Sequence, residues 1–255
     1  MTIITYGCAS SGTSGGSERV NEINNFLTKV EIEEYITVNW KDYGYTEKPV
    51  KYIAISFDDG PCDPSAYGGT KAMLAALNKA RVRATFFVIG SNVHNNISAA
   101  QAIFDAGHEL GNHSSGYSSL GSSSTDAITS SLNATSKLIK EITGSNPRLF
   151  RAPNLNHGEN LSMVCKNLDM ALIDGSAHND WPGSSPAIKN SVIANPRDGD
   201  IIILHDNNTS QGNTMKDLPE IITNLRAKGF WIMTISELAI IKNKTLEAGT
   251  RYGAL

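Results

Sequence analysis

From Lys51 onward, short apolar runs alternate with segments of helical period, and this alternation constrains the fold more than any other feature. Lys51–Phe57 (KYIAISF), Ala84–Ile89 (ATFFVI), Arg148–Arg151 (RLFR), Asp169–Asp174 (DMALID), Asp200–His205 (DIIILH) and Phe230–Ile235 (FWIMTI) read as buried strands. They are short, rich in β-branched or aromatic residues, and bounded by polar or turn residues. His108–Asn112 (HELGN) adds a seventh, less apolar strand. Between them, Thr125–Thr143 sets Ile128, Leu132, Thr135, Ile139 and Ile142 on one helical stripe. Gly144 stops that helix and Pro147 follows; Ser98–Ala106 and Met215–Lys228 end likewise at Gly107 and Gly229.

Strands that each lead into a helix imply a parallel sheet with crossover helices, either doubly wound or closed into a (β/α) barrel. The polar residues favour the barrel, because they recur at strand end after strand end. Asp58 and Asp59 follow the first strand, His113 the third, and Arg151 ends the fourth. Asp180 lies beyond the fifth and His205 closes the sixth. A barrel gathers such ends around one mouth, whereas a doubly wound sheet spreads them along a line.

With 255 residues, 40% of them hydrophobic, the chain can build one substantial core. Residues 51–245 are expected to form that domain and residues 246–255 a carboxy-terminal tail. Residues 1–50 are expected to form a linker-like segment with a short helical flap, in which Ile23, Phe26, Leu27 and Val30 share a face. The Ser/Gly/Thr-rich amino terminus shows no intact signal peptide. A net charge of −3 without a basic run argues against a nucleic-acid partner, and no apolar stretch approaches the roughly 20 residues of a membrane helix. Cys8, Cys62 and Cys165 include no CxxC pair; a Cys62–Cys165 bridge is open, with ordinary unpaired cysteines the commoner outcome.

Five motifs carry chemistry. FDDGP (Phe57–Pro61) sets two carboxylates side by side at a strand end. A solvated turn would use the same residues, but adjacent carboxylates can also divide labour, one binding a cation and the other taking a proton from water. GNHSSGY (Gly111–Tyr117) puts His113 in a stretch too polar and glycine-rich for a core. RAPN (Arg151–Asn154) offers a guanidinium, the natural partner of a carboxylate that must stay ionised. NDW (Asn179–Trp181) pairs a carboxylate with an aromatic. In ILHD (Ile203–Asp206) a histidine emerges from an apolar strand, the usual setting of a general acid or base.

This ordered set resembles the family-4 carbohydrate esterases, polysaccharide deacetylases with the NodB homology domain, over roughly residues 50–240. The resemblance implies a distorted (β/α) barrel of about seven parallel strands with outer helices. It makes Asp58 the catalytic base, His205 the acid, Arg151 the partner of the base and Asp180 the carboxylate that tunes the acid. Asp59 and His113 would hold one divalent metal ion, cobalt or zinc. Trp181 and Ile203 would wall the acetyl pocket, and a backbone N–H near Asn154 would bind the oxyanion. The implied partner is an acetylated polysaccharide, met outside the cell by a monomer.

Two departures from the family pattern sharpen the expectation. Tyr117 stands where a second histidine ligand is usual, and Ala177 where the fourth motif usually begins with aspartate. With Asn154, they resemble the acetyl xylan esterase branch, in which the metal has few protein ligands; chitin or peptidoglycan N-deacetylation is the alternative. A Ser-His-Asp esterase would need a GxSxG elbow, which is absent. A carbohydrate-binding pseudoenzyme would have no reason to keep base, acid, arginine and ligands together.

Overall fold

A computed structural model describes residues 28–62, 69–176, 178–181, 183–206 and 212–255 of the chain. Seven strands fall where the apolar runs predict them. They are β1 (Lys51–Asp58), β2 (Thr85–Val88), β3 (Glu109–Asn112), β4 (Leu149–Phe150), β5 (Ala171–Ile173), β6 (Ile201–His205) and β7 (Phe230–Met233). The sheet runs β6-β1-β2-β3-β4-β5, and every one of these pairings is parallel. β1 pairs β6 along one edge through Ala54–Asp58, and its other edge serves two strands, β7 through Lys51–Ala54 and β2 through Ser56–Asp58.

The carboxy-terminal residues, expected to be a tail, instead supply an eighth strand, β8 (Arg251–Tyr252), parallel to β5. The chain after β5 also crosses to β6: Ser176 N–H bonds the Ile201 carbonyl at 2.8 Å and Ile203 N–H bonds the His178 carbonyl at 2.9 Å. These backbone bonds curl the sheet round towards β6, giving the distorted barrel.

Strand alternation sorts the side chains. Ile53, Ile55 and Phe57 of β1, with Ile202 and Leu204 of β6, pack outward against the helices. Ser56, Asp58, Ile203 and His205 hold the opposite parity and face the barrel axis. The register pairs Asp58 with His205, so both side chains leave the sheet at one level on one side.

The longest helix, α5 in chain order (Thr125–Thr143), matches its expected span, and Ile128, Leu132, Thr135, Ile139 and Ile142 are all buried. Preceding it are α1 (Lys29–Asn39), α2 (Gly69–Ala80), α3 (Gly90–Asn95) and α4 (Ile97–Asp105). Following it are α6 (Glu159–Asn167), α7 (Ser185–Ile193), α8 (Gly212–Ala227) and α9 (Ile235–Ile241). No helix among the described residues is long and apolar enough to cross a membrane.

The amino-terminal flap is a helix with a different buried face from the one expected. Thr28 and Glu31 cap α1 reciprocally, which starts the helix at Lys29 and sets its phase. Ile32 and Ile36 are buried with Trp231, whereas Val30 is 61% exposed. Ile23, Phe26, Leu27, Cys8 and Ala177 lie outside the described residues. Cys62 and Cys165 form no disulfide, and Cys165 is an ordinary core residue of α6.

Denaturation in urea should distinguish the two faces of α1. Ile36→Ala is expected to cost about 2–5 kcal/mol of unfolding free energy, and Val30→Ala within about 0.5 kcal/mol.

Candidate active site

β1 delivers Asp58 to the barrel mouth, where Arg151 Nη1 donates to its Oδ1 at 2.6 Å. The arginine is fully buried, so its charge requires compensation within the protein. Nη1 also donates to Ser56 Oγ at 2.8 Å, and Nε donates to the Ile173 carbonyl at 3.0 Å. The guanidinium lies 4.2 Å from the centre of the Phe87 ring, a cation–π contact. Phe87 gains that position because Gly111 on β3 has no side chain; a Cβ there would come within 2.6 Å of the ring.

His113 follows β3. Its Nδ1 is 2.8 Å from the Arg151 carbonyl, which can only accept, so Nδ1 carries the hydrogen and the neutral ring keeps a lone pair on Nε2. Nε2 lies 3.4 Å from Asp59 Oδ1 and 4.0 Å from Asp58 Oδ2. Three acceptor atoms thus converge, a donor set suited to a cation. Asp59 and His113 provide the two side chains that fit a divalent metal, an oxygen and an imidazole nitrogen acceptable to several first-row ions. No group of three or more His, Cys, Asp or Glu arranged for a metal occurs among the described residues. His108 makes the contrast: it accepts from Ala84 N–H in the core, and burial, helped by Arg83, pushes its pKa down to about 3.

Opposite Asp58, His205 Nδ1 meets Asp180 Oδ1 at 2.7 Å. Asp180 is fully buried, and its Oδ2 accepts from His205 N–H at 2.9 Å and from Thr214 Oγ1 at 2.7 Å. Burial alone would lower the histidine pKa. The hydrogen bond and charge of Asp180, with the charges of Asp58 and Asp59, outweigh it and raise the value to about 9. His205 is therefore protonated at neutral pH, with Nε2–H as a proton donor.

The polysaccharide deacetylase family profile matches residues 45–173. The chain belongs to this family. Among curated relatives, a bifunctional xylanase/deacetylase of Pseudobutyrivibrio xylanivorans is 38% identical over 75% of the chain, which spans 31% of that longer protein. A peptidoglycan-N-acetylglucosamine deacetylase of Bacillus cereus is 31% identical over 85% of the chain and its own full length. Among solved structures, a family 4 acetyl xylan esterase from Clostridium thermocellum, in complex with a cobalt ion, superposes with a TM-score of 0.73. It is 33% identical, over 80% of this chain and 99% of that one. This deacetylase is accordingly a hydrolase of the carbohydrate esterase class.

In this deacetylase Asp58, Asp59, His113, Arg151, Asp180 and His205 come together as the motifs predict. The four residues expected to meet substrate are arranged less uniformly. Trp181 is half exposed, its ring centre 6.3 Å from that of His205, and Ile203 is buried two residues below His205 on the same strand face. Asn154 is exposed, with a left-handed φ of 58°. Leu155 N–H bonds the Ala152 carbonyl, so the next amide along is not the oxyanion donor and Asn154 N–H remains the candidate. The half-exposed Tyr117 accepts a hydrogen bond from Asn92 Nδ2 at 2.8 Å. Its phenol is pushed above the ordinary value, first by burial and then, against the Asn92 bond, by the charge of Asp59.

Sequence reasoning missed Ser56, Phe87, Asn92, Thr214 and Asp206. Asp206 directly follows His205; its N–H bonds the Asp58 carbonyl and its Oδ2 accepts from Thr70 at 2.7 Å. Burial pushes its carboxyl up to about 7 despite that bond. Only Asp206 carried a signal, as an acidic residue inside a quoted motif.

The His205–Asp180 pair has a pH consequence. Because folding raises the histidine pKa, its stabilising contribution is complete below the ordinary value near 6.5 and is lost as pH rises through about 9. Asp180→Asn should bring the His205 titration, followed by NMR in metal-free protein, well below 9. An unchanged midpoint would show that Asp180 does not hold the proton.

Proposed function

We propose that the chain removes O-acetyl groups from xylan outside the cell, with Asp58 as general base and His205 as general acid. The observation that supports this reading is the pairing of an arginine-held carboxylate with a carboxylate-held histidinium, in register across β1 and β6. Asp59 and His113 would hold one divalent ion, cobalt or zinc. When bound, such an ion polarises the acetyl carbonyl and makes a neighbouring water more acidic.

The chain's own groups then divide the reaction. Asp58, held in place by Arg151, accepts the proton of the attacking water. Asn154 N–H supports the oxyanion, a contribution whose loss typically costs about 3 kcal/mol. His205 Nε2–H gives its proton to the departing sugar oxygen, and Asp180 stabilises the imidazolium beforehand. Acetate and a free hydroxyl result. Trp181 and Ile203 wall the acetyl methyl, and Tyr117 lines the rim on the side of Asp59.

The preference for esters over amides rests on two supports. The xylanase/deacetylase relative and the acetyl xylan esterase neighbour bear on it through likeness. The chemical support is that an ester carbonyl is more electrophilic and its leaving oxygen needs less complete protonation. A ligand-poor metal site therefore suffices for esters sooner than for amides. The Bacillus cereus relative makes an N-acetyl polymer the comparison substrate.

Acetate release should vanish on exhaustive chelation and return with cobalt or zinc; full activity in demonstrably metal-free protein overturns the mechanism. Asp58→Asn and His205→Ala should each lower kcat by about 10²–10⁴-fold with the fold retained by circular dichroism. kcat/KM should be higher on acetylated xylo-oligosaccharides than on chitin oligomers at the same metal and pH. The reverse order would make the chain an N-deacetylase.

A further inference from the structure

One segment outside the five motifs bonds to both turns that carry the metal-binding side chains. The chain leaving β2 into α3, Ile89–Asn92, lies between the FDDGP and HSSGY turns. Ile89 N–H donates to the Gly60 carbonyl at 2.9 Å. Gly90 N–H donates to the Ser114 carbonyl at 2.9 Å, and Ser91 N–H to the Ser115 carbonyl at 3.1 Å. Asn92 then uses its side-chain amide, donating from Nδ2 to the Asp59 carbonyl at 2.7 Å and to the Tyr117 hydroxyl at 2.8 Å. The two turns have no shared strand register to hold them at this level, since Asp59 lies beyond β1 and His113 beyond β3.

Both turns hold a non-glycine residue in the left-handed region, Asp59 at φ 72° and Ser114 at φ 68°. Such conformations cost roughly 1–3 kcal/mol each and persist only where neighbours hold them. For Ser114 the neighbours are its own N–H bond to Asn112 Oδ1 and the Gly90 amide on its carbonyl. At Asp59 the carbonyl accepts from Asn92, so that amide takes part in setting the direction of the residue and its carboxylate.

We propose that Asn92 is a positioning residue for the metal site, orienting Asp59 towards His113 and tying Tyr117 to the same point. The inference rests on Asp59 and His113 being the metal-binding pair. It assigns Tyr117 a place: its hydroxyl is an acceptor for Asn92, which holds the aromatic ring at the rim. Metal affinity in this chain then depends on an amide in α3, an element that carries neither ligand.

Cobalt titration of purified, metal-stripped protein tests this without reference to turnover. Asn92→Ala should weaken cobalt binding by about 10–100-fold and alter the visible absorption of the bound ion, while the metal-free melting temperature stays close to wild type. Tyr117→Phe, which removes only one acceptor of the amide, should weaken binding less than Asn92→Ala does. Should Asn92→Ala fail to fold, Asn92→Ser carries the same expectation, since its short hydroxyl cannot reach both acceptors. Wild-type affinity and spectrum in the folded Asn92 variant overturn the proposal. So does a Tyr117→Phe loss equal to that of Asn92→Ala, which would route the effect through tyrosine. Wild-type protein that takes up no cobalt overturns the metal reading itself, and this inference with it.

Discussion

The bond between Arg151 and Asp58 is the constraint on which the site depends. A guanidinium with no solvent exposure is tolerable only if its charge is balanced inside the protein, and here Nη2 is left buried without a hydrogen-bond partner. Asp58 balances it at 2.6 Å, Ser56 and the Ile173 carbonyl take further donors, and Phe87 lies against its face. Ser56 passes the tie onward by donating to the Ile202 carbonyl at 2.7 Å. Arg151, through Ser56, thereby links β1, β5 and β6 and holds the Asp58 carboxylate at the mouth.

The acid side repeats the logic with opposite charge. Asp180 is buried beside His205, and Thr214 and the His205 amide meet its second oxygen. A buried carboxylate so engaged has its lowest-energy partner in an imidazolium. The two halves are opposite in charge: a buried arginine faces the Asp58 carboxylate, and a buried aspartate faces the His205 imidazole. General acid–base hydrolysis of an acyl bond uses one group that takes a proton and one that gives it at a single reacting centre.

Between these halves sit Asp59 and His113, whose ligand atoms face each other at 3.4 Å. The Arg151 carbonyl, by fixing the His113 ring through Nδ1, connects this pair to the same residue that holds Asp58. Tyr117 neither completes the pair nor lies idle, since Asn92 joins its hydroxyl to the Asp59 backbone. The result is one continuous polar network around the mouth, standing on an apolar barrel interior of residues such as Ile173, Ile201 and Phe87.

The sequence by itself determined the alternation of strands and helices, the stripe of α5, and the identity and order of the six polar residues at the mouth. These are local properties: side-chain period selects helix or strand, and turn chemistry places polar residues at strand ends. The buried face of α1 was misjudged because a reciprocal cap at Thr28 sets the helix start, and a shift of phase changes which residues face inward. β8 was illegible because two residues held by backbone bonds to β5 carry no side-chain pattern. Only the tertiary structure decided that Asp58 and His205 stand level, since strand register is a relation between segments 147 positions apart that neither segment encodes alone. Ser56, Asn92 and Thr214 belong to the same class. A serine, an asparagine or a threonine becomes part of a site only when folding brings an otherwise uncompensated polar group to within hydrogen-bonding distance of it.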